Sequence, residues 1–184
     1  QADLVAMARA TMADPALVAK TAAGEPETIR PCVGLNECIH RKLVEGLTYA
    51  CGTNPSFARE RVVRPTRTTS PRDILVIGGG PGGSELAGLT AEHGHRVRLW
   101  ERHEHLGGAF AVAAKLRGNH RYANWIDYQR GRLQRAGVEV ELGRTATVDD
   151  VLASGADLVV VATGGRPRTP DTPGVDQPHV HQAG

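Results

Sequence analysis

Aromatic side chains are scarce. Two Phe, two Trp and three Tyr make up 4% of the 184 residues. The core must therefore be aliphatic, and a base-stacking platform for nucleic acid has few rings to draw on. Neither sign of charge dominates, with 22 Lys and Arg against 20 Asp and Glu. A net charge of +2 gives no electrostatic case for nucleic acid or an acidic membrane as partner. No apolar run reaches the roughly 20 residues that a membrane-spanning helix needs. The opening "QADLVAMARATMADP" lacks a charged stretch followed by a long apolar one, so it does not read as a signal peptide. Only three cysteines occur. An odd number with no export signal points to a reducing compartment, the cytoplasm, and not to a disulfide framework. There is no G-x-S-x-G and no arguable pair of cleft carboxylates, so no residue is assigned as catalytic.

Hydrophobic residues at 40% and charged residues at 23% describe an ordinary globular chain with enough length for a real core. The opening "ADLVAMARA" reads as a strand running into a helix. Such an abrupt start suggests a piece of something longer. The three thiols, Cys32, Cys38 and Cys51, fall together in residues 29–60. Thiols this close, ahead of a glycine-rich turn, suggest a metal site. The stretch 61–72, "RVVRPTRTTSPR", reads as a solvated linker.

Beyond the linker the pattern becomes alternating strand and helix. "ILVI" at 74–77 is a continuous apolar run, as expected for a central parallel strand. A helix is predicted over 82–93, with Leu86, Leu89 and Thr90 on one side and Gly94 as the stop. "RVRLW" at 96–100 is the second strand. Tyr122, Trp125, Ile126 and Leu133 mark the core face of a helix over 119–136. "VEVEL" at 138–142 is a third strand, "TVDD" at 147–150 has capping-box spacing, and "DLVVVAT" at 157–163 is a buried fourth strand. The fold class is α/β, a Rossmann-like parallel sheet of the FAD/NAD(P)-binding type.

Gly78, Gly80 and Gly83 form G-x-G-x-x-G between the first strand and its helix. Such glycines permit the tight turn, the close approach to a pyrophosphate and the close packing of helix on strand. Pro81 lies inside the same loop. The helix N-terminus then offers N–H groups and a positive dipole end to phosphates. Glu101 ends the second strand, where a carboxylate accepts hydrogen bonds from an adenosine ribose, and Arg102 follows it. "LGG" at 106–108, with Gly107 and Gly108, and "ATGG" at 162–165, with Thr163 and Gly164, are small-residue turns that let the chain pass near a long cofactor. Taken with Glu101 they favour the FAD type over a simple NAD dehydrogenase. The paired histidines at 93–95, 103–105 and 179–181 read as surface residues beside turns.

These motifs resemble those of the family that includes trimethylamine dehydrogenase, 2,4-dienoyl-CoA reductase and histamine dehydrogenase. "ADLVAMARATMADPALVAK" is similar to that family's last barrel strand and helix. "IRPCVGLNECI" with "CGTNP" is similar to its iron–sulfur segment. "VIGGGPGGSELA", "ERHEHLGG" and "VVVATGGRPRTP" are similar to its nucleotide domain. The resemblance implies the end of a flavin-binding TIM barrel over 1–28, a loop-rich cysteine segment over 29–65, and an incomplete FAD- or ADP-binding domain over 66–184. It implies FMN in the barrel, with Arg9 at its phosphate, and a small-molecule substrate there. It also implies that the rest of the barrel and flavin domain is present in cis or on another chain, and that the whole is a homo-oligomer. One alternative is a noncatalytic module in which bound ADP is structural.

The family's cluster motif has four cysteines. Cys32, Cys38 and Cys51 match the first, third and fourth, and Leu35 stands at the second. Leucine cannot ligate iron. Three outcomes stay open: a four-iron cluster with one other ligand, a three-iron cluster, or an empty remnant of buried thiols. Asn36 and His40 are the nearby side chains that offer a replacement ligand.

Overall fold

The computed structural model describes residues 2–63, 66–166 and 168–181. Positions 1, 64, 65, 167 and 182–184 lie outside the described residues, among them two of the expected linker and one of the "ATGGRPRTP" turn. The first part is built from short pieces: α1 (Arg9–Ala13), α2 (Leu17–Ala22), a 3-10 turn (Pro26–Thr28) and α3 (Glu37–Leu43). The second part is β1 (Asp73–Ile77), α4 (Pro81–Glu92), β2 (Arg96–Trp100), α5 (Ala109–Ala114), α6 (His120–Arg135), β3 (Glu139–Glu141), α7 (Val148–Ala153) and β4 (Leu158–Val161).

The four strands form one parallel sheet in the order β3-β2-β1-β4. Its strand order reverses next to β1: the chain moves outward to β2 and β3, then returns to place β4 on the other side. In open α/β sheets this reversal opens a crevice at the carboxyl ends of the strands. Ile74 and Val76 of β1 pair in register with Val97 and Leu99 of β2. With Ala87 and Ala91 of α4 and Trp125, Ile126 and Leu133 of α6 they form the core. The core is mostly aliphatic, as the scarcity of rings requires. Its two tryptophans are placed individually: Trp125 lies inside α6, and Trp100 lies under the Arg144 guanidinium, 3.5 Å from its ring centre. The capping box is formed, with Thr147 and Asp150 each bonding the other's backbone N–H at the start of α7.

Several expectations are corrected. Residues 2–7 are irregular backbone, and Leu4 and Val5 are exposed. No other strand lies beside them among the described residues, and a strand without a ladder partner has no reason to form. The fully buried residues of α4 are Gly83, Ser84, Ala87, Gly88 and Ala91, while Leu86 packs half-buried against the core and Leu89 and Thr90 are half-buried. Each glycine has its own reason: Gly83 lies on the Gly78 carbonyl at the end of β1, and Gly88 leaves room for the Arg132 guanidinium of α6. β4 covers 158–161 and, among the described residues, is an edge strand with a neighbour on the β1 side alone, which leaves Val161 71% exposed.

The cysteine segment is fastened to the sheet unit by a buried set of charges. Val33 enters the shared core. Arg30 Nη1 donates to Glu85 Oε2 on α4 and to the Thr53 carbonyl, both at 2.5 Å. Gln129 Nε2 donates to the same Glu85 oxygen (2.7 Å), and Arg132 Nη1 lies 2.9 Å from it as an ion pair. That last contact lacks hydrogen-bond alignment and acts through charge attraction. Arg132 also grips Glu92 with two bonds of 2.7 Å. Burial pushes the Glu85 carboxyl up, but the Arg30 and Arg132 charges outweigh it and hold the group below its ordinary value.

Removing one partner of such a buried set leaves uncompensated charge. Glu85→Ala should cost about 3–5 kcal/mol of unfolding free energy in urea titration. Because the Glu85 pKa is lowered on folding, its contribution is complete above the ordinary carboxylate range and is lost as pH falls through the folded value. The stability gap between wild type and variant should therefore be wide at neutral pH and close in acid.

Candidate functional site

Three turns meet at the carboxyl ends of β1, β2 and β4. The first runs from Gly78 to Gly83. Gly78 takes φ +109°, and a Cβ built there would run into the Ala162 carbonyl at the end of β4. A Cβ on Gly83 would overlap the Gly78 carbonyl oxygen. Only hydrogen at both positions lets α4 start where it does. Gly80 is the N-cap of α4 and Pro81 its first residue, where the missing proline N–H costs nothing. Gly80 has no side chain to cap the helix, so the first-turn N–H groups have no acceptor within the helix.

The second turn brings Gly107 and Gly108 against the first. Gly107 N–H donates to the Gly79 carbonyl (2.9 Å). A Cβ on Gly108 would stand 3.0 Å from the Gly80 Cα, and one on Gly107 would stand 2.6 Å from Ile126 Cδ1. The third turn carries Thr163 and Gly164, both exposed, with Gly164 at φ +77°.

Glu101 sits among these turns and is 5% exposed. Its Oε2 accepts from Gly79 N–H (2.6 Å) and its Oε1 from His103 N–H (2.9 Å). Each carboxylate oxygen has a second lone-pair site, so capacity for a ribose hydroxyl remains. The carboxylate therefore also braces the glycine loop, which the sequence reading did not foresee. Ser84 is a second brace it missed: the hydroxyl donates to the Gly79 carbonyl (3.0 Å) and is fully buried. A serine directly after the last glycine of the fingerprint was its only signal. Arg102 is exposed beside the site, its Nε donating to His103 Nε2 (3.2 Å).

The structure thus brings together Gly78, Gly80, Pro81, Gly83, Glu101, Gly107 and Gly108, with Thr163 and Gly164 at the end of β4. The cradle of backbone, open where a Cβ on Gly82 would meet nothing within 4 Å, fits the pyrophosphate end of an adenine dinucleotide.

Arg9 stands apart from this group and donates to Asn36 Oδ1 (2.6 Å) in the cysteine segment. Cys38 is buried on α3, and Cys32 and Cys51 are half-buried. Cys51 Sγ lies 3.5 Å from Thr53 Oγ1. Among the described residues no three Cys, His, Asp or Glu side chains are placed to hold a metal ion. The residues present do not fit a cluster held by four thiolates, since Leu35 supplies no ligand. His103 and His105 are exposed with stacked rings, as expected of surface residues. Another cleft, of about 290 Å³, opens beside Arg30 and Arg132; most of its charged lining is paired, Lys20 with Asp14, Arg30 with Glu85 and Arg132 with Glu92, while Glu60 accepts from the Ala58 N–H.

Residues 72–183 match the model of the pyridine nucleotide-disulphide oxidoreductase family. The chain is 38% identical to the N,N-dimethylglycine/sarcosine dehydrogenase of Chromohalobacter salexigens, over 90% of this chain and 24% of that protein. It is 35% identical to the NADH oxidase of Thermoanaerobacter brockii, over 96% of this chain and 28% of that one. The solved structure of histamine dehydrogenase from Rhizobium sp. 4-9 superposes with a TM-score of 0.84 at 31% identity, covering 90% of this chain and 25% of that one. The chain spans about a quarter of the length of these relatives.

Truncating Glu101 leaves two backbone donors without their acceptor. Glu101→Ala should lower stability by about 1–3 kcal/mol in urea unfolding even with no nucleotide present. An unchanged midpoint would show that the carboxylate does not brace the loop.

Proposed function

The chain belongs to the pyridine nucleotide-disulphide oxidoreductase family, among relatives that include amine dehydrogenases, and from that premise we propose that it is the dinucleotide-binding part of a flavin-dependent oxidoreductase. The supporting observation is the convergence of the three turns on the carboxyl ends of β1, β2 and β4, with Glu101 between them. In this reading the N–H groups of the first turn of α4 receive the pyrophosphate. Gly80 and Gly108 keep side chains out of its path. A free lone pair on the Glu101 carboxylate accepts an adenosine ribose hydroxyl, and Arg102 lies beside it toward solvent. The Thr163–Gly164 turn lets the chain run past the rest of the cofactor.

FAD, when bound, supplies a centre that exchanges one or two electrons. The residues of this chain bind and orient it, and none of them serves as a catalytic acid or base. Substrate chemistry belongs to an FMN-carrying barrel, in cis or on another chain, to which Arg9 contributes. The small-molecule substrate binds there. We place the whole protein in the cytoplasm on the strength of three free cysteines, and as a homo-oligomer by the family resemblance alone. No helix among the described residues is long and apolar enough to cross a membrane. A relay through Cys32, Cys38 and Cys51 is not part of this reading, because the ligand set is incomplete.

The test is the nucleotide itself. Protein purified without added cofactor, then denatured, should release FAD, identified by mass and by its flavin absorbance. Release of ADP alone would make the site a structural one, and release of neither nucleotide would overturn the proposal. Gly80→Ala separates site from fold, since a Cβ there meets only the Gly108 Cα, at 4.0 Å. The variant should keep its melting temperature and bind the nucleotide at least about tenfold more weakly, a loss of ~1.4 kcal/mol.

A further inference from the structure

The cysteine segment invites a metal by its spacing, but its donor set is incomplete: Leu35, 45% exposed, stands where a thiolate would be needed. Leu35 does more than fail to ligate. Its Cδ1 fills the space beside the backbone next to Cys51, 2.5 Å from where a Cβ on Gly52 would stand. The two nearby side chains that could stand in for a thiolate are engaged in surface contacts with other groups, and neither is a thiolate. Asn36 Oδ1 accepts the Arg9 guanidinium at 2.6 Å, and His40 Nε2 lies 3.4 Å from Glu45 Oε1. Cys38 is buried on α3 as a small apolar side chain is.

The segment also needs no metal to stay in place. Arg30, two residues before Cys32, is bound on one side to the Thr53 carbonyl, two residues after Cys51. On the other side it is bound to Glu85 of α4. One guanidinium thus ties both ends of the cysteine stretch to each other and to the sheet unit. Val33 is in the shared core, and Asn54 Nδ2 donates to the Met12 carbonyl (2.9 Å). Structural metal sites in small loop-rich segments supply the folding energy that such contacts otherwise provide.

We infer that residues 29–63 of this chain are a metal-free strap, fastened by Arg30 between Thr53 and Glu85, with Leu35 occupying the place of the ligand that an iron–sulfur cluster would need. The dinucleotide proposal is independent of this, because no residue of the glycine cradle enters it. Electrons reaching or leaving a flavin bound to this chain would then pass without an iron relay in the strap.

The test uses the full-length natural protein that contains this chain, produced anaerobically with iron and cysteine supplied. Iron and acid-labile sulfide should each stay below about 0.5 per chain, and dithionite should raise no cluster signal at low temperature. About three or four irons per chain with matching sulfide would overturn the inference. Leu35→Cys should raise bound iron at least about fivefold over wild type, since it restores the ligand type these irons prefer. A variant that gains none would overturn the assignment of Leu35 as the blocking residue. The strap is read separately by limited proteolysis. Arg30→Ala should speed cleavage within 29–63, and a strong iron chelator should leave wild-type cleavage unchanged. Faster cleavage on chelation would also overturn the inference.

Discussion

The head of the sheet depends on a meeting of backbones that leaves no room for a side chain. At Gly78 the chain passes under the Ala162 carbonyl of β4, and at Gly83 the first turn of α4 lies on the Gly78 carbonyl oxygen. That contact sets how far α4 can approach β1, and so where its N-terminus points. Every other feature of the site is arranged around it. Pro81 starts the helix without a wasted donor, Ser84 and Glu101 hold Gly79 by its carbonyl and its N–H, and Gly108 passes close to Gly80. The pyrophosphate reading follows from these facts together, since a helix N-terminus with no side-chain cap and open space before it favours an anion.

A second constraint acts on the opposite flank of α4. Glu85 is two residues beyond Gly83, yet its carboxylate faces Arg30, Gln129 and Arg132. Burying these groups costs solvation that their mutual attraction repays only when the geometry is good. What the set contributes is a fixed relation between parts: the same helix that offers its N-terminus to a nucleotide carries the carboxylate that fastens the cysteine strap.

Local pattern made much of this legible. The G-x-G-x-x-G spacing, the apolar run of β1, the carboxylate ending β2 and the Thr147–Asp150 capping box are each written within a few residues of one another, and each is formed. What lacked a local signature was missed. Glu85 meets its partners across 55, 44 and 47 positions of sequence, so no window of sequence contains the pair. α5 follows a glycine pair with a run of alanines that carries no periodicity. On α4 the apolar spacing marked Leu86, which packs against the core, but gave no sign that Gly83, Ser84, Ala87, Gly88 and Ala91 would be the fully buried residues. The missing strand at 2–7 and the exposed β4 show the same limit: apolar sequence makes a strand possible, and pairing decides whether it forms and whether it is covered.

The account stands most directly on where a nucleotide touches the chain. Hydrogen exchange read by mass spectrometry, with and without saturating ADP, locates that contact without assuming any residue's role. Protection should rise in three separate stretches, 78–84, 101–108 and 162–165, and remain unchanged across 120–135 beside the Glu85 set. Protection confined to the cleft between Arg30 and Arg132, or absent from all three turns, would contradict the assignment of the glycine cradle as the nucleotide site.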